Sequence, residues 1–567
     1  MPPAAITLVP LLPLLAAIMV TVGGEQSRRT RTRLALVPIA GAFACAVAVL
    51  YIVAQQGPIA MRLYDPSSLS ALTFPIGFYV DRLSAVMMVL ISSIGTIIYA
   101  YSLPYMYQED HEPRYLALIG FTVFVLLCMV SSANLMMLFL FWQLLSYLLY
   151  LLIHNHAHAG TLEGAFRTFF VLRLGDVFFL AGVVLAYSLY GTLEFPDLFD
   201  RAAASTATLS LLPGFELSGA TAVTLLLFVG GMSKSAQFPL FIWLPRYLYA
   251  PTPATALLHA GIINACGFLI NRLAPLFGLS STTLHIAFLV GTLTAVLGAT
   301  MMLAQNDIKN TLGFSTIGQM GYMVMECGLG AFSLAVFHLI AHGLFKATMF
   351  LNCGNVIHKA RLEPHVPHPV HQPDETEPSR LAWATGFTTT LLIPLLILLI
   401  THGVLHIPLL ESQGTVIFLF FIWITSSQAI LTLTRLRAVD SWKVSAAMLV
   451  TMLFVVFVYL FAVESFTAFL YPNPQEVAAY FRAAALPTWL FELVILWTTL
   501  LTGAGWVYLY MRAHGRTMLM PAWVDGVRNR LYILFLNRIY ADYAYERFVR
   551  VVSQIFHRFD KRTSRPV

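Results

Sequence analysis

Residues 230–239 read Gly-Gly-Met-Ser-Lys-Ser-Ala-Gln-Phe-Pro and lie inside an apolar stretch running from Leu225 to Leu244. Gly230, Gly231 and Pro239 are residues that loosen or interrupt a helix in mid-membrane, and a break there exposes backbone groups beside the ammonium of Lys234. An ionisable group at the centre of a bilayer is costly unless it is paired or lines water, so a lysine in this setting marks a functional site. The competing reading is a side chain that snorkels to an interface, and the central position of Lys234 disfavours it.

The chain around this stretch has 567 residues, of which 58% are hydrophobic and 11% charged, and its mean hydropathy is +0.77. That is too little polar surface to wrap water-soluble domains, so the solvent is lipid. Apolar runs of roughly 18 to 25 residues, each long enough to cross a hydrocarbon core, recur from end to end. About fifteen are expected, centred near Leu12, Phe43, Leu90, Val123, Phe139, Leu180, Phe228, Phe268, Val290, Met320, Leu339, Leu392, Phe420, Leu453 and Leu500. Only helices or closed barrels satisfy the backbone in lipid, and runs of this length predict an all-α polytopic membrane protein with at least one broken helix. The first run lacks a basic leader and contains Pro10 and Pro13, so it reads as a retained span rather than a secretion signal.

Arg28, Arg29, Arg31 and Arg33 follow the first run, Lys359, Arg361 and Arg380 the eleventh, and Arg435, Arg437 and Lys443 the thirteenth. With basic loops kept inside, the N-terminus is periplasmic and the Arg-rich C-terminus, through Lys561 and Arg562, is cytoplasmic at the inner membrane. The net charge of +6 is thereby a matter of topology, with no clustered basic and aromatic surface for nucleic acid. Cys45, Cys128, Cys266, Cys327 and Cys353 show no paired spacing for a disulfide, zinc or an iron–sulfur cluster.

The expected organisation is two spans and a loop over residues 1–75, an ion-conducting transmembrane core over 76–355, a cytoplasmic His/Pro-rich loop over 356–380, further spans over 381–512 and a tail over 513–567. Prolines between His358, His365, His368 and His371 argue for an extended loop rather than a metal site. In the tail, Leu531, Leu534, Ile539, Tyr543, Phe548, Val552 and Phe556 alternate with Arg538, Arg547, Arg550 and Arg558. The pattern predicts a basic amphipathic helix lying on the cytoplasmic membrane surface, or a face that docks a partner.

Other ionisable residues lie within runs. Asp176 follows Arg173 by three residues, on one helix face, where the two are placed to pair as a structural salt bridge or as part of a path. A lysine removed from water holds its proton less tightly and a nearby carboxylate restores it, so a Lys/Asp pair can exchange protons as it opens and closes. His259 lies beyond Pro251 and Pro253, which restart a helix; alone it reads as a satisfied core histidine. His338, His342 and Lys346 recur at i, i+4 and form one titratable stripe, for which a hydrated proton path is a better reading than a metal site. Asp307 and Lys309 read as interfacial end charges, and Glu326, at the outer end of its run, is open to the same reading.

These residues stand in a longer pattern. Gly-Gly-Met-Ser-Lys-Ser-Ala-Gln-Phe-Pro-Leu, Ala-Pro-Thr-Pro-Ala-Thr-Ala-Leu-Leu-His-Ala, Gln-Asn-Asp-Ile-Lys-Asn-Thr-Leu-Gly-Phe-Ser-Thr-Ile-Gly-Gln-Met-Gly-Tyr-Met and His-Leu-Ile-Ala-His-Gly-Leu-Phe-Lys-Ala resemble the antiporter-like subunits of respiratory complex I, over residues near 75 to 355. The resemblance implies the antiporter-like fold and a central hydrophilic path lined by Lys234, His259, His338, His342 and Lys346. The chain departs from the pumps of that family at Gln143, where they carry a glutamate, at Arg246, where an acid is expected, and over Ala382 to Ile400, which lacks their lysine.

The runs His-Ala-Gly-Ile-Ile-Asn-Ala-Cys-Gly-Phe-Leu and Glu-Cys-Gly-Leu-Gly-Ala-Phe are most similar to the DabB-type membrane subunits of bacterial inorganic-carbon accumulation complexes. That resemblance implies a cation-translocating subunit, itself without cofactor, that carries protons or sodium and drives carbon dioxide hydration by a DabA-like peripheral zinc subunit on the cytoplasmic face. Lys234, His259, His338, His342 and Lys346 are then relay groups, Asp176 tunes them, and Arg173, Asp307, Lys309 and Gln143 support them. The alternatives are a subunit of a quinone oxidoreductase, hydrogenase or Mrp-type antiporter, and a membrane anchor that conducts nothing.

Overall fold

The computed structural model describes residues 2–22, 28–64, 74–107, 109, 111–153, 159–212, 215–247, 250–362, 461–490, 492–493, 496–497, 500, 522–548, 550–551 and 554. Helices α1 (Pro2–Thr21), α2 (Arg28–Leu34) and α3 (Leu36–Gln56) lead into a hairpin of β1 (Ile59–Tyr64) and β2 (Ile76–Val80). Next come α4 (Arg82–Tyr105), α5 (Glu112–Val130), α6 (Leu135–Ile153), α7 (Ala159–Tyr190) and α8 (Phe195–Ala204). A second hairpin, β3 (Thr208–Leu212) and β4 (Phe215–Ser218), precedes α9 (Gly219–Lys234) and α10 (Leu244–Tyr247). The bundle continues with α11 (Thr252–Ala260), α12 (Ala265–Arg272), α13 (Ala274–Phe277), α14 (Ser281–Ala304), α15 (Ile308–Gly328) and α16 (Phe332–Leu362).

Eight of the described helical stretches are long and apolar enough to cross a membrane, and shorter apolar helices cover Ala5–Thr21, Gly219–Lys234 and Phe461–Leu470. The first eleven expected runs each coincide with a helix: α1, α3, α4, α5, α6, α7, α9, α12, α14, α15 and α16. The runs centred on Leu392, Phe420 and Leu453 lie outside the described residues, as do His365, His368 and His371. The expected loop from His358 starts later than the sequence suggested. Helix α16 continues through Leu362, since no helix breaker intervenes before Pro364.

Two short hairpins are added to the helical plan. In each, the strands pair antiparallel, Ile59 opposite Val80 and Thr208 opposite Ser218. They sit together at one end of the bundle, where the Tyr79 amide donates to the Ser131 carbonyl at 2.9 Å and Arg62 meets Glu194 at 2.9 Å. Beneath them, the buried guanidinium of Arg272 at the end of α12 donates to both carboxylate oxygens of Asp81, at 2.7 and 3.1 Å. Asp81 in turn caps α4 by accepting from the Ser84 amide at 2.9 Å. One bidentate ion pair thus fixes the start of α4 against the end of the broken helix pair.

The tail adds ion pairs to its amphipathic pattern. After the helix Ala522–Leu536 the chain turns through Arg538, Ile539 and Tyr540, all left-handed with φ of 56°, 58° and 55°. The turn is held because Arg538 donates to Asn310 Oδ1 at the start of α15 and to Asp542 Oδ2, each at 3.2 Å. Asp542 also accepts from the buried Arg167 of α7, whose guanidinium lies 4.5 Å from the Tyr545 ring centre. Ion pairs with the core, together with Phe548 packed on Phe170, hold this segment against the bundle, while Leu531, Tyr543 and about half of Phe548 stay exposed.

Helices α14 and α15 cross so closely that backbone meets backbone. A Cβ added to Gly321 would lie 2.4 Å from the Ala295 amide nitrogen, and one on Gly298 equally close to that of Gly318. Small residues permit this approach, and packing is what joins helices in lipid. Gly321→Leu is therefore predicted to destabilise the protein by about 3 kcal/mol, read as a lowered thermal midpoint in detergent; an unchanged midpoint would contradict the packing described.

Candidate functional site

Helix α9 ends at Lys234 because the next residues cannot continue it: Ala236 adopts a left-handed φ of 48° and Pro239 lacks an amide proton. The carbonyls released by this break are taken up locally. Met232 O accepts from the Gln237 amide at 2.9 Å and Ser233 O from Trp243 Nε1 at 2.9 Å, while the Phe238 amide donates to Thr294 Oγ1 at 3.0 Å. A second break, which the sequence reading did not foresee, separates α11 from α12 at Gly261, where a short 3-10 turn covers Ile262–Asn264. Ser235 joins the two breaks, since its hydroxyl donates to Ile263 O and accepts from the Cys266 amide.

Lys234 is fully buried. Its Nζ donates to the Trp142 carbonyl of α6 at 2.6 Å and lies 4.4 Å from the centre of the Trp142 ring. Asp176 stands on α7, which packs against α9 without room for a side chain at Gly175, where a Cβ would meet Ser233. Its Oδ1 accepts from Ser146 Oγ at 3.5 Å, and its Oδ2 lies 3.5 Å from Arg173 Nη1. Arg173 also donates to Gln143 Oε1, so the Gln143 amide serves as an acceptor for the arginine. Lys234, Asp176, Arg173 and Gln143 therefore form one group across α6, α7 and α9.

A second group spans α11 and α16. His259 is fully buried and stacks on Phe350, with ring centres 4.2 Å apart. His338 and His342 follow one another on α16 with ring centres 6.2 Å apart, and the buried Lys346 donates to the Leu312 carbonyl at 3.3 Å. Gly343 lets α16 approach the end of α11, where a Cβ would lie 2.7 Å from the Ala260 carbonyl. Asp307 and Lys309 stand at the start of α15. Asp307 caps α15 by accepting from the Asn310 amide at 2.8 Å, which is the end-charge role expected of it.

Contacts between elements add partners that no single run shows. Glu326 Oε2 lies 3.1 Å from His338 Nδ1, a contact set by the packing of α15 on α16. Asn264 and Asn271, amides within an otherwise apolar run, were the available signal for a polar lining at the second break. Among the described residues, both ring nitrogens of His259 and His342, Asn264 Oδ1, Asn271 Oδ1, Gln237 Oε1 and Glu326 Oε1 are buried without a hydrogen-bond partner. Buried polar atoms in such numbers are satisfied by water in a folded protein. Among the described residues no three His, Cys, Asp or Glu side chains are grouped to hold a metal ion.

Comparison with known proteins adds to this geometry. A family model described as NADH:quinone oxidoreductase/Mrp antiporter, TM matches residues 132–403, and one described as NADH-Ubiquinone oxidoreductase (complex I), chain 5 N-terminus matches residues 67–116. The chain is 39% identical over 562 residues to the probable inorganic carbon transporter subunit DabB1 of Halothiobacillus neapolitanus, covering 98% of both. It is 36% identical over 301 residues to the NADH-quinone oxidoreductase subunit L of Neisseria meningitidis, covering 52% of this chain and 45% of that one. In fold it is similar to a chain of the Mrp complex from a Dietzia species, with a TM-score of 0.56, 21% identity, and coverage of 99% of this chain and 63% of that one. A chain of the archaeal membrane-bound sulfane sulfur reductase gives a TM-score of 0.53 at 19% identity, covering 90% and 95%.

The unpartnered imidazoles generate a prediction. A high-resolution map of the protein in a lipid nanodisc is expected to show ordered water about 3 Å from ring nitrogens of His259 and His342. A dry, close-packed surround at both would contradict the hydrated path.

Proposed function

The chain belongs to the DabB inorganic carbon transporter subunits, within the complex I and Mrp family of antiporter-like membrane proteins, and from that premise we propose that it carries protons or sodium ions across the inner membrane to drive carbon accumulation. The observation that carries this reading is Lys234, fully buried at a helix break and held by a backbone carbonyl and an aromatic face. A structural lysine in lipid is better replaced by an apolar residue, whereas a lysine that hands a proton on needs partners that tolerate both of its states. A carbonyl and a ring face stabilise the ammonium without fixing a permanent counter-charge beside it.

On this reading Lys234, His259, His338, His342 and Lys346 are the relay groups, and Asp176 biases the first of them from across α7. Arg173, held by Gln143 and Asp176, supplies a fixed positive charge at the edge of that group. The N-terminus is periplasmic and the C-terminus cytoplasmic, as the basic loops require. The partner is a DabA-like peripheral subunit on the cytoplasmic face, which holds zinc and hydrates carbon dioxide, while this chain performs no chemistry on carbon. Charge crossing the membrane supplies about 2.3 kcal/mol per 100 mV, enough to bias a hydration equilibrium more than tenfold.

Variants Lys234→Ala and Lys346→Ala are predicted to lose the ability to rescue cells that require high carbon dioxide, with carbon uptake down by about a hundredfold and membrane levels unchanged. Rescue equal to the parent would refute the relay assignment. Uptake in the parent is also expected to collapse with an ionophore; uptake indifferent to the gradient would favour a membrane anchor. Copurification of one large zinc protein fits the proposal, and a set of small hydrophobic subunits would instead point to an oxidoreductase or Mrp-type assembly.

A further inference from the structure

Glu326 is a buried acid that the relay described above leaves unused. It stands in the last turn of α15, at the end opposite the Asp307 cap, with its side chain 2% exposed and turned toward α16. His338 lies between two acceptors: Glu326 Oε2 is 3.1 Å from Nδ1, and Gln319 Oε1 is 2.9 Å from Nε2. An amide oxygen only accepts, so Nε2 carries hydrogen and donates to it. The remaining contact then has to hold a proton of its own, because a bare carboxylate facing a bare imidazole nitrogen would set two acceptors against each other in a buried place.

That proton has two homes. Either the Glu326 hydroxyl donates to Nδ1 of a neutral imidazole, or Nδ1–H of an imidazolium donates to the carboxylate. Among the described residues, the Tyr322 ring lies edge-on to His338 at 5.6 Å, the His342 ring lies at 6.2 Å, and the Asn271 amide donates to Cys327 beside Glu326. Glu326 Oε1 is buried without a hydrogen-bond partner among the described residues, the condition under which a folded protein supplies a bound water.

We propose that Glu326 and His338 form a proton-loading pair at the end of the relay that the proposed orientation places outside, with Glu326 as its water-facing acid. A hydronium ion protonates Oε1 as the Oε2–H bond breaks and the Nδ1–H bond forms. The carboxyl group ends neutral and His338 ends as an imidazolium, one positive charge delivered to the His338–His342–Lys346 stripe. Gln319 accepts from Nε2 before and after, so it holds the ring in place through the step. This inference rests on the relay reading of the preceding subsection and adds an acid that the family resemblance does not include.

The test uses the complete purified complex in proteoliposomes, with proton flux measured under an imposed potential for the parent, Glu326→Gln, Glu326→Asp and Lys234→Ala. Glu326→Gln keeps the size and polarity of the side chain but has no acid proton, and flux is expected to fall about a hundredfold, with much of it restored in Glu326→Asp. Parental flux in Glu326→Gln beside none in Lys234→Ala would overturn the pair and leave the relay standing. Parental flux in Lys234→Ala would overturn the relay itself. Should Glu326→Gln fail to accumulate, infrared difference spectra after a pH jump decide. A carboxylic carbonyl band in the parent that shifts in His338→Gln supports the pair, and a parent without such a band overturns it.

Discussion

An ammonium ion deep in a helix bundle has to be held by whatever the bundle can bring to it, and in this protein that is the carbonyl and the ring of Trp142. The hold requires α6 to pass beside the end of α9, and α9 to end where it does. Breaking α9 leaves carbonyls without intrahelical partners, and lipid offers none. Gln237 and Trp243 answer that need, and Ser235 serves the second break by donating to the Ile263 carbonyl. The two interrupted helices are therefore parts of one arrangement, and the cost of each break is met across the interface between them.

The same constraint shapes the two ends of the bundle. Arg272 closes one end through Asp81, and Arg167 is held at the other through Asp542 of the tail. A buried guanidinium is tolerated because its fork is matched by carboxylate and aromatic neighbours. These charges are held by direct ion pairs, whereas Lys234 donates to a neutral carbonyl and the ring nitrogens of His259 and His342 have no hydrogen-bond partner among the described residues. The division suggests which ionisable groups hold the structure and which are free to exchange protons within it.

Much of this was legible in the order of residues. Apolar runs of spanning length located helices from α1 to α16, because hydrophobic length is imposed by the bilayer itself. The lysine in its Gly- and Pro-flanked stretch and the i, i+4 stripe of His338, His342 and Lys346 were equally plain, since both are local patterns. Contacts between elements were not. Nothing in one helix says that Glu326 of α15 meets His338 of α16, or that Asp542 returns to Arg167 across 375 residues. The break at Gly261 was hidden in a run that remains apolar throughout, and the hairpins lie in connections whose composition resembles any loop. The tail showed its amphipathic stripe, but a stripe does not name the surface that covers it.

The proposed function requires that charge move through the buried row in the working protein. Electrical recording from the purified complex on a solid-supported membrane, after a sudden pH step, measures that displacement without reference to growth or carbon uptake. The parent is expected to give a transient current that disappears when Lys234 is replaced by alanine. A complex that accumulates inorganic carbon normally while displacing no charge would contradict it.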